Sequence, residues 1–200
     1  MHEKLTLEEQ KILLRLAREA MERGVRGEDL PPLDLASLPV SLREECCSFI
    51  TLTVHGLLRG CIGSLDAYQS LVEDVREHAI AAALKDPRFP PVQEGEIKEI
   101  RIEVSRLTRP ISLEYRDAND LLLKLRPHLD GVVLRDDPYR RATFLPQVWE
   151  KIPDCEEFLN NLCYKMGLEP DAWRHNHFEV LTYQVEDFHE GAFPEGAVPE

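Results

Sequence analysis

Two runs rich in β-branched and aromatic residues, CCSFITLTV at Cys46–Val54 and LLRGCIG at Leu57–Gly63, are separated only by His55 and Gly56. So short a connection closes an antiparallel hairpin, because parallel neighbours need a crossover of about a dozen residues or more. The chain is thereby committed to an antiparallel pairing before any long-range contact is considered. A second hairpin is expected in GVVLRDDPYRRATFL, where Val132–Leu134 and Ala142–Leu145 flank a DDPY turn. In Glu99–Leu107, Ile100, Ile102 and Val104 alternate with Arg101, Glu103 and Ser105, the period of a strand with one buried face. A last strand is expected over roughly 178–188.

Helices are marked by their caps. Thr6 with Glu9 begins one whose apolar face carries Ile12, Leu13, Leu16, Ala17, Ala20 and Met21. Ser70 with Glu73 begins a second, which packs on the hairpin's sheet and stops at Asp86-Pro87. A short helix spans about 117–125, and Asp154 with Glu157 caps a fourth that Gly167 terminates. Residues 24–40, with Gly24, Gly27, Pro31, Pro32 and Pro39, read as a surface connection. Hairpins rather than βαβ units make the fold class α+β: a mainly antiparallel sheet with flanking helices, in two abutting lobes. A hairpin followed by a capped helix occurs at 46–84 and again at 131–167, the pattern an internal duplication leaves.

The bulk properties exclude several functions. Lys and Arg total 24 against 37 Asp and Glu, a net charge of −13 that repels phosphate backbones and anionic membranes. The basic residues are interleaved with acids, as in Arg135, Asp136 and Asp137, so no nucleic-acid patch is expected. No run approaches the roughly 20 apolar residues that span a bilayer, and MHEKLTLEEQ lacks a signal-peptide core, so a cytoplasmic protein is expected. The cysteines, Cys46, Cys47, Cys61, Cys155 and Cys163, contain no CxxC; free thiols are expected and a zinc site is not.

Chemistry concentrates in LRGCIGSL, Leu58–Leu65. In a regular strand Arg59, Cys61 and Gly63 share one face, which sets a guanidinium beside a thiol. A neighbouring cation favours the thiolate, so Arg59 could activate Cys61 or hold an anion next to it. Gly60 and Gly63 are costly in a strand and suggest a bulge or a close approach that makes room at the thiol. A small core cysteine between packing glycines accounts for the same residues. Asp86 and Arg88 flank Pro87, where they orient a ligand or pin the loop. Glu103 and Ser105 line a cleft beside the hairpin or simply a solvated strand face. His175 and His177 alternate as metal ligands do, but nothing nearby completes a set, and His55 belongs to the turn.

The chain resembles the AMME-syndrome candidate-gene family, whose microbial members are called AmmeMemoRadiSam system protein A. The resemblance rests on LRGCIGSL, DPRFPPV at Asp86–Val92, IEVSRLTRP at Ile102–Pro110, FLPQVWE at Phe144–Glu150 and FLNNLCYKMGLEPDAW at Phe158–Trp173. It implies an intracellular α+β protein of two intimately packed parts, in agreement with the sequence's own division: one domain over 1–189, with lobes around 1–110 and 111–189, and an expected disordered tail at 190–200. It also implies a process shared with a Memo-like protein and a radical S-adenosylmethionine enzyme, and it fixes no substrate, cofactor or reaction. The family's site falls on Arg59, Gly60, Cys61, Ile62 and Gly63, with Ser64 beside them, and extends to Asp86, Arg88 and Phe89. Three functions follow: recognition of a small molecule or partner at LRGCIG, catalysis by Cys61 as an activated thiol, or an acidic scaffold in which the motif is purely structural.

Overall fold

The structure, a computed structural model, describes residues 4–137 and 140–191. In chain order the elements are α1 (Leu7–Arg26), α2 (Val40–Arg43), β1 (Cys47–Val54), β2 (Leu57–Gly63), α3 (Leu71–Leu84), β3 (Ile100–Leu107), β4 (Ile111–Ser112), α4 (Ala118–Lys124), β5 (Gly131–Arg135), β6 (Arg141–Phe144), α5 (Cys155–Lys165), α6 (Ala172–His175), β7 (Glu179–Tyr183) and β8 (Val185–His189). They form two compact units, residues 1–107 with 186–200, and residues 108–185. The first holds a sheet of order β2-β1-β3-β8 and the second a sheet of order β4-β7-β5-β6. The α+β class with antiparallel sheets is as the hairpins dictate.

In the first unit the capping boxes of Thr6 and Ser70 start α1 and α3 where the sequence places them. Both helices bury their apolar faces on one side of the sheet, so that Leu13, Ala17 and Met21 meet Val72, Val75, Ala79, Ile50, Leu52, Ile102 and Val104 in one core. The second unit has its own core around Trp149, whose ring stacks on Phe158 at 3.6 Å between centroids. Its indole N–H donates to the Asp130 carbonyl at 2.7 Å, which satisfies the one polar atom buried with it. In each sheet the hairpin's second strand, β2 or β6, lies at the edge and its first strand lies inside.

Two expectations are corrected. The single strand over 178–188 is two strands in different sheets, divided at Gln184, whose carbonyl accepts from Thr108 N–H and whose N–H donates to the Thr108 hydroxyl. Residues 186–189, expected in the second lobe, therefore belong to the first unit. The expected tail also begins later than 190: Glu190 bonds to the Ile102 N–H and carbonyl and pairs with Arg18. The remainder of that segment, 192–200, lies outside the described residues. Among the described residues no helix is long and apolar enough to cross a membrane.

Candidate functional site

The hairpin turn takes its conformation from His55 and Gly56, both at positive φ (52° and 80°). Two successive positive φ values give the turn whose twist matches the strands it joins. Pairing runs Val54 to Leu57 and Thr53 to Leu58, then slips by one, so that Leu52 faces Gly60 and Thr51 faces Cys61. Arg59 is the extra residue of a β-bulge, and a bulge re-aims the side chain it carries.

That slip overturns the juxtaposition of Arg59 with Cys61. The Arg59 guanidinium grips Glu96 through Nε (2.7 Å) and Nη2 (3.0 Å) and donates to the Pro90 carbonyl at 2.9 Å, with its side chain only 14% exposed. Arg59 thus pins the 90–96 segment, and its charge holds the Glu96 carboxyl below the ordinary carboxylate range. The glycines are also reassigned. A Cβ on Gly60 would stand 2.1 Å from the Ala82 carbonyl oxygen, so this glycine lets the α3 backbone close on the strand, on the face away from the thiol. A Cβ on Gly63 would stand 2.4 Å from the Phe49 ring, which fills the space the sequence reading opened beside the thiol. Ile62 packs on the core, and the Ser64 hydroxyl bonds within its own turn to Asp66.

Asp86 and Arg88 act on Cys61 through the backbone. β2 is an edge strand, and the Cys61 N–H donates outward to Asp86 Oδ2 at 2.8 Å while its carbonyl accepts from Arg88 Nη2 at 3.3 Å. Asp86 is buried and takes Arg88 through Nε (3.0 Å) and Nη2 (2.7 Å); this pairing drives its carboxyl well below the usual range. Phe89 is half-buried, with the Arg88 guanidinium 5.6 Å from its ring. The loop-pinning reading of Asp86 is the one the geometry displays, while the Arg88 side chain remains 55% exposed.

The Cys61 thiol, half-buried, lies on the sheet face opposite the helices, where the Thr51 hydroxyl donates to it at 3.3 Å. Across β1, Thr51 faces Glu103. Thr108 N–H to Gln184 O and Glu190 N–H to Ile102 O fix the register of β8 on β3, which sets His189 opposite Glu103 and Asp187 opposite Ser105. Phe188 enters the core, so Asp187 and His189 share the face of Glu103. One row, Cys61, Thr51, Glu103 and His189, therefore crosses all four strands. Along β3 this face passes from buried Leu107 and Ser105 through half-buried Glu103 to exposed Arg101, so the row stands where burial gives way to solvent. Burial and the Asp187 charge raise the Glu103 carboxyl, against the pull of His189.

The sequence reading missed Thr51, Asp187 and His189. Of the remaining histidines, His55 pairs with Glu99, His175 with Asp171, and His177 stacks on Tyr115. All five cysteines are free, with Cys46, Cys47 and Cys163 buried. Among the described residues no group of three or more His, Cys, Asp or Glu side chains is arranged to hold a metal.

Comparison with known proteins gives one consistent set of similarities. A family model described as AMMECR1 matches residues 14–188. A protein of Methanopyrus kandleri is 40% identical over an alignment covering 100% of this chain and 97% of its own length. One of Methanothermobacter thermautotrophicus is 38% identical, covering 93% and 96%. The crystal structure of an uncharacterized protein from Pyrococcus horikoshii superposes with a TM-score of 0.75 at 34% identity, covering 96% of each chain.

Proposed function

The chain belongs to the AMMECR1 family, and we propose that its LRGCIG strand, with the Asp86–Phe89 turn strapped to it, recognises a small molecule or a partner's segment. This recognition serves a process shared with a Memo-like protein and a radical S-adenosylmethionine enzyme in the cytoplasm. The observation that carries the reading is the clamp on Cys61: both of its outward backbone groups are taken by Asp86 and Arg88, while Cys61 itself is half-buried and the Arg88 side chain is exposed. A side chain fixed through its backbone on a rigid strand is pre-organised, which lowers the entropic cost of binding. Arg59 is a positioning residue in this reading, because its guanidinium is spent on Glu96 and Pro90. Capture of the Memo-like or radical-enzyme partner tests it: Cys61→Ser should abolish capture while the melting temperature stays within a few degrees, and Arg88→Gln, which also lowers the melting temperature by unpairing buried Asp86, should abolish capture at temperatures where the variant is still folded. Undiminished capture by both variants refutes the reading.

A second reading, Cys61 as a catalytic thiol, draws support from its row. Thr51 bonds the sulfur, and Glu103, with its carboxyl raised, is an acid–base group on the same face. It faces Thr51 rather than the thiol and lies about 10 Å, two inter-strand spacings, from the sulfur, so it would have to act through Thr51 or the substrate. A Cys61 alkylation rate near neutral pH no faster than that of the unfolded chain eliminates the activated-thiol version.

A further inference from the structure

Both sheets end in strands whose outer backbone groups would pair with a further strand, the liability that any sheet edge carries. The edge strand β4 has only two residues, and β8 carries the charges of Glu186 and Asp187. The hairpin strands β2 and β6 are closed in another way: side chains from outside the sheet sit on their outward backbone groups. In β2 the Cys61 carbonyl accepts from Arg88 Nη2 at 3.3 Å, and its N–H donates to Asp86 Oδ2 at 2.8 Å. In β6 the bond from Asp136 N–H to the Arg140 carbonyl sets the alternation, which turns the backbone groups of Thr143 outward. The Thr143 carbonyl accepts from Nζ of Lys165 on α5 at 3.0 Å, with that ammonium held 5.1 Å from the centre of the Phe144 ring. An antiparallel neighbour facing Cys61 would exchange two bonds with it, through the same N–H and carbonyl that Asp86 and Arg88 occupy.

We propose that Asp86 with Arg88, and Lys165, are edge plugs, and that the strand they exclude is the same edge of a second copy of this chain. Two-fold antiparallel pairing centred on the plugged residue sets it opposite itself. About Cys61 this brings Gly60 against Ile62, and about Thr143 it brings Ala142 against Phe144. Neither centre opposes like charges, so each edge is self-complementary once its plug is removed. The inference goes beyond the recognition reading and stands or falls without it, because it concerns both sheets and needs no partner other than the chain itself.

Lys165→Met opens β6, and Asp86→Ala combined with Arg88→Ala opens β2; both are followed by sedimentation velocity over a concentration series, with and without a mild oxidant. Each should self-associate about tenfold more tightly than wild type, or about 1.4 kcal/mol. Facing Cα atoms of a hydrogen-bonded pair stand about 5.5 Å apart, within disulfide reach. Oxidation should therefore bridge Cys61 to its counterpart in the β2 variant, and Thr143→Cys to its counterpart when combined with Lys165→Met. Lys165 is exposed, so its variant should melt near wild type and decides the matter even where the β2 variant fails to fold. Gly60→Ala, destabilised with its plugs in place, controls for association through partial unfolding. A folded variant that sediments as wild type does, a dimer without the expected bridge, or equal association of Gly60→Ala overturns the inference. So does a chain with its plugs intact that already bridges at Cys61 or at Thr143→Cys.

Discussion

Replacing Gly60 by alanine adds one methyl group at the point where β2 meets α3. That Cβ would stand 2.1 Å from the Ala82 carbonyl oxygen and 3.1 Å from its carbonyl carbon. Both are backbone atoms of a helix packed on the core through Val72, Val75, Ala79, Ala82 and Ala83, so no side chain can rotate away and the helix or the strand must move by about 1 Å. Overpacking of this kind costs about 1–3 kcal/mol, and the rigidity of the neighbour puts Gly60→Ala at the upper end. For a chain of this size about 3 kcal/mol lowers the melting temperature by about 6–12 °C. Gly95 is the control, because a Cβ there meets nothing within 4 Å and its φ is not in the left-handed region. Gly95→Ala should hold or slightly raise stability by restricting the unfolded chain. Thermal melts of both variants at one pH decide the matter. If Gly60→Ala melts within about 2 °C of wild type, α3 does not bear on β2 as described.

Two further outcomes follow from the site's electrostatics. Arg88 holds the Asp86 carboxyl below its ordinary range, so the stability it contributes is complete above the unfolded value of about 3.9 and drains away as pH falls toward the lower folded value. Asp86→Asn should therefore be most destabilising at neutral pH, with the gap to wild type narrowing below about pH 4 in urea titrations; a gap constant down to about pH 2.5 contradicts the clamp. In a brief iodoacetamide pulse at about pH 8, Cys61 should label before Cys47, which is buried and whose thiol is pushed up to about 12 by burial and by Cys46 and Asp74. Peptide mapping that finds Cys47 labelled first refutes the assigned burial.

Much of the architecture is written locally. Thr6 with Glu9 and Ser70 with Glu73 mark helix starts because a capping box needs only residues three apart, and His55-Gly56 marks the hairpin because the turn needs only its own two. The alternation around Glu103 likewise placed that residue on an open face. What escaped depends on partners far along the chain. A two-residue turn without interruption sets Thr51 opposite Gly60; the bulge shifts the partner to Cys61 and takes Arg59 out of the alternation, a one-residue slip with the consequences of a change of face. The bulge forms where Glu96 and Pro90, more than thirty residues on, can take the guanidinium, and nothing in LRGCIG announces that. Asp187 and His189 were invisible as members of the row because the sequence reading ran a single strand over about 178–188 in the second lobe, whereas the chain breaks at Gln184 and returns to the first sheet.

That return of the chain bears on how the molecule is made. The fourth strand of the first sheet comes from residues 185–189, after the whole of the second unit. During synthesis the first 107 residues can collapse α1 and α3 onto three strands, but the open edge of β3 waits through the next 78 residues, 108–185, for its neighbour. The second unit, continuous in sequence, has everything it needs first. It matures as an insertion within a domain still missing its last strand, and the exposed β3 edge in that interval is where a nascent chain of this topology is most open to misassembly.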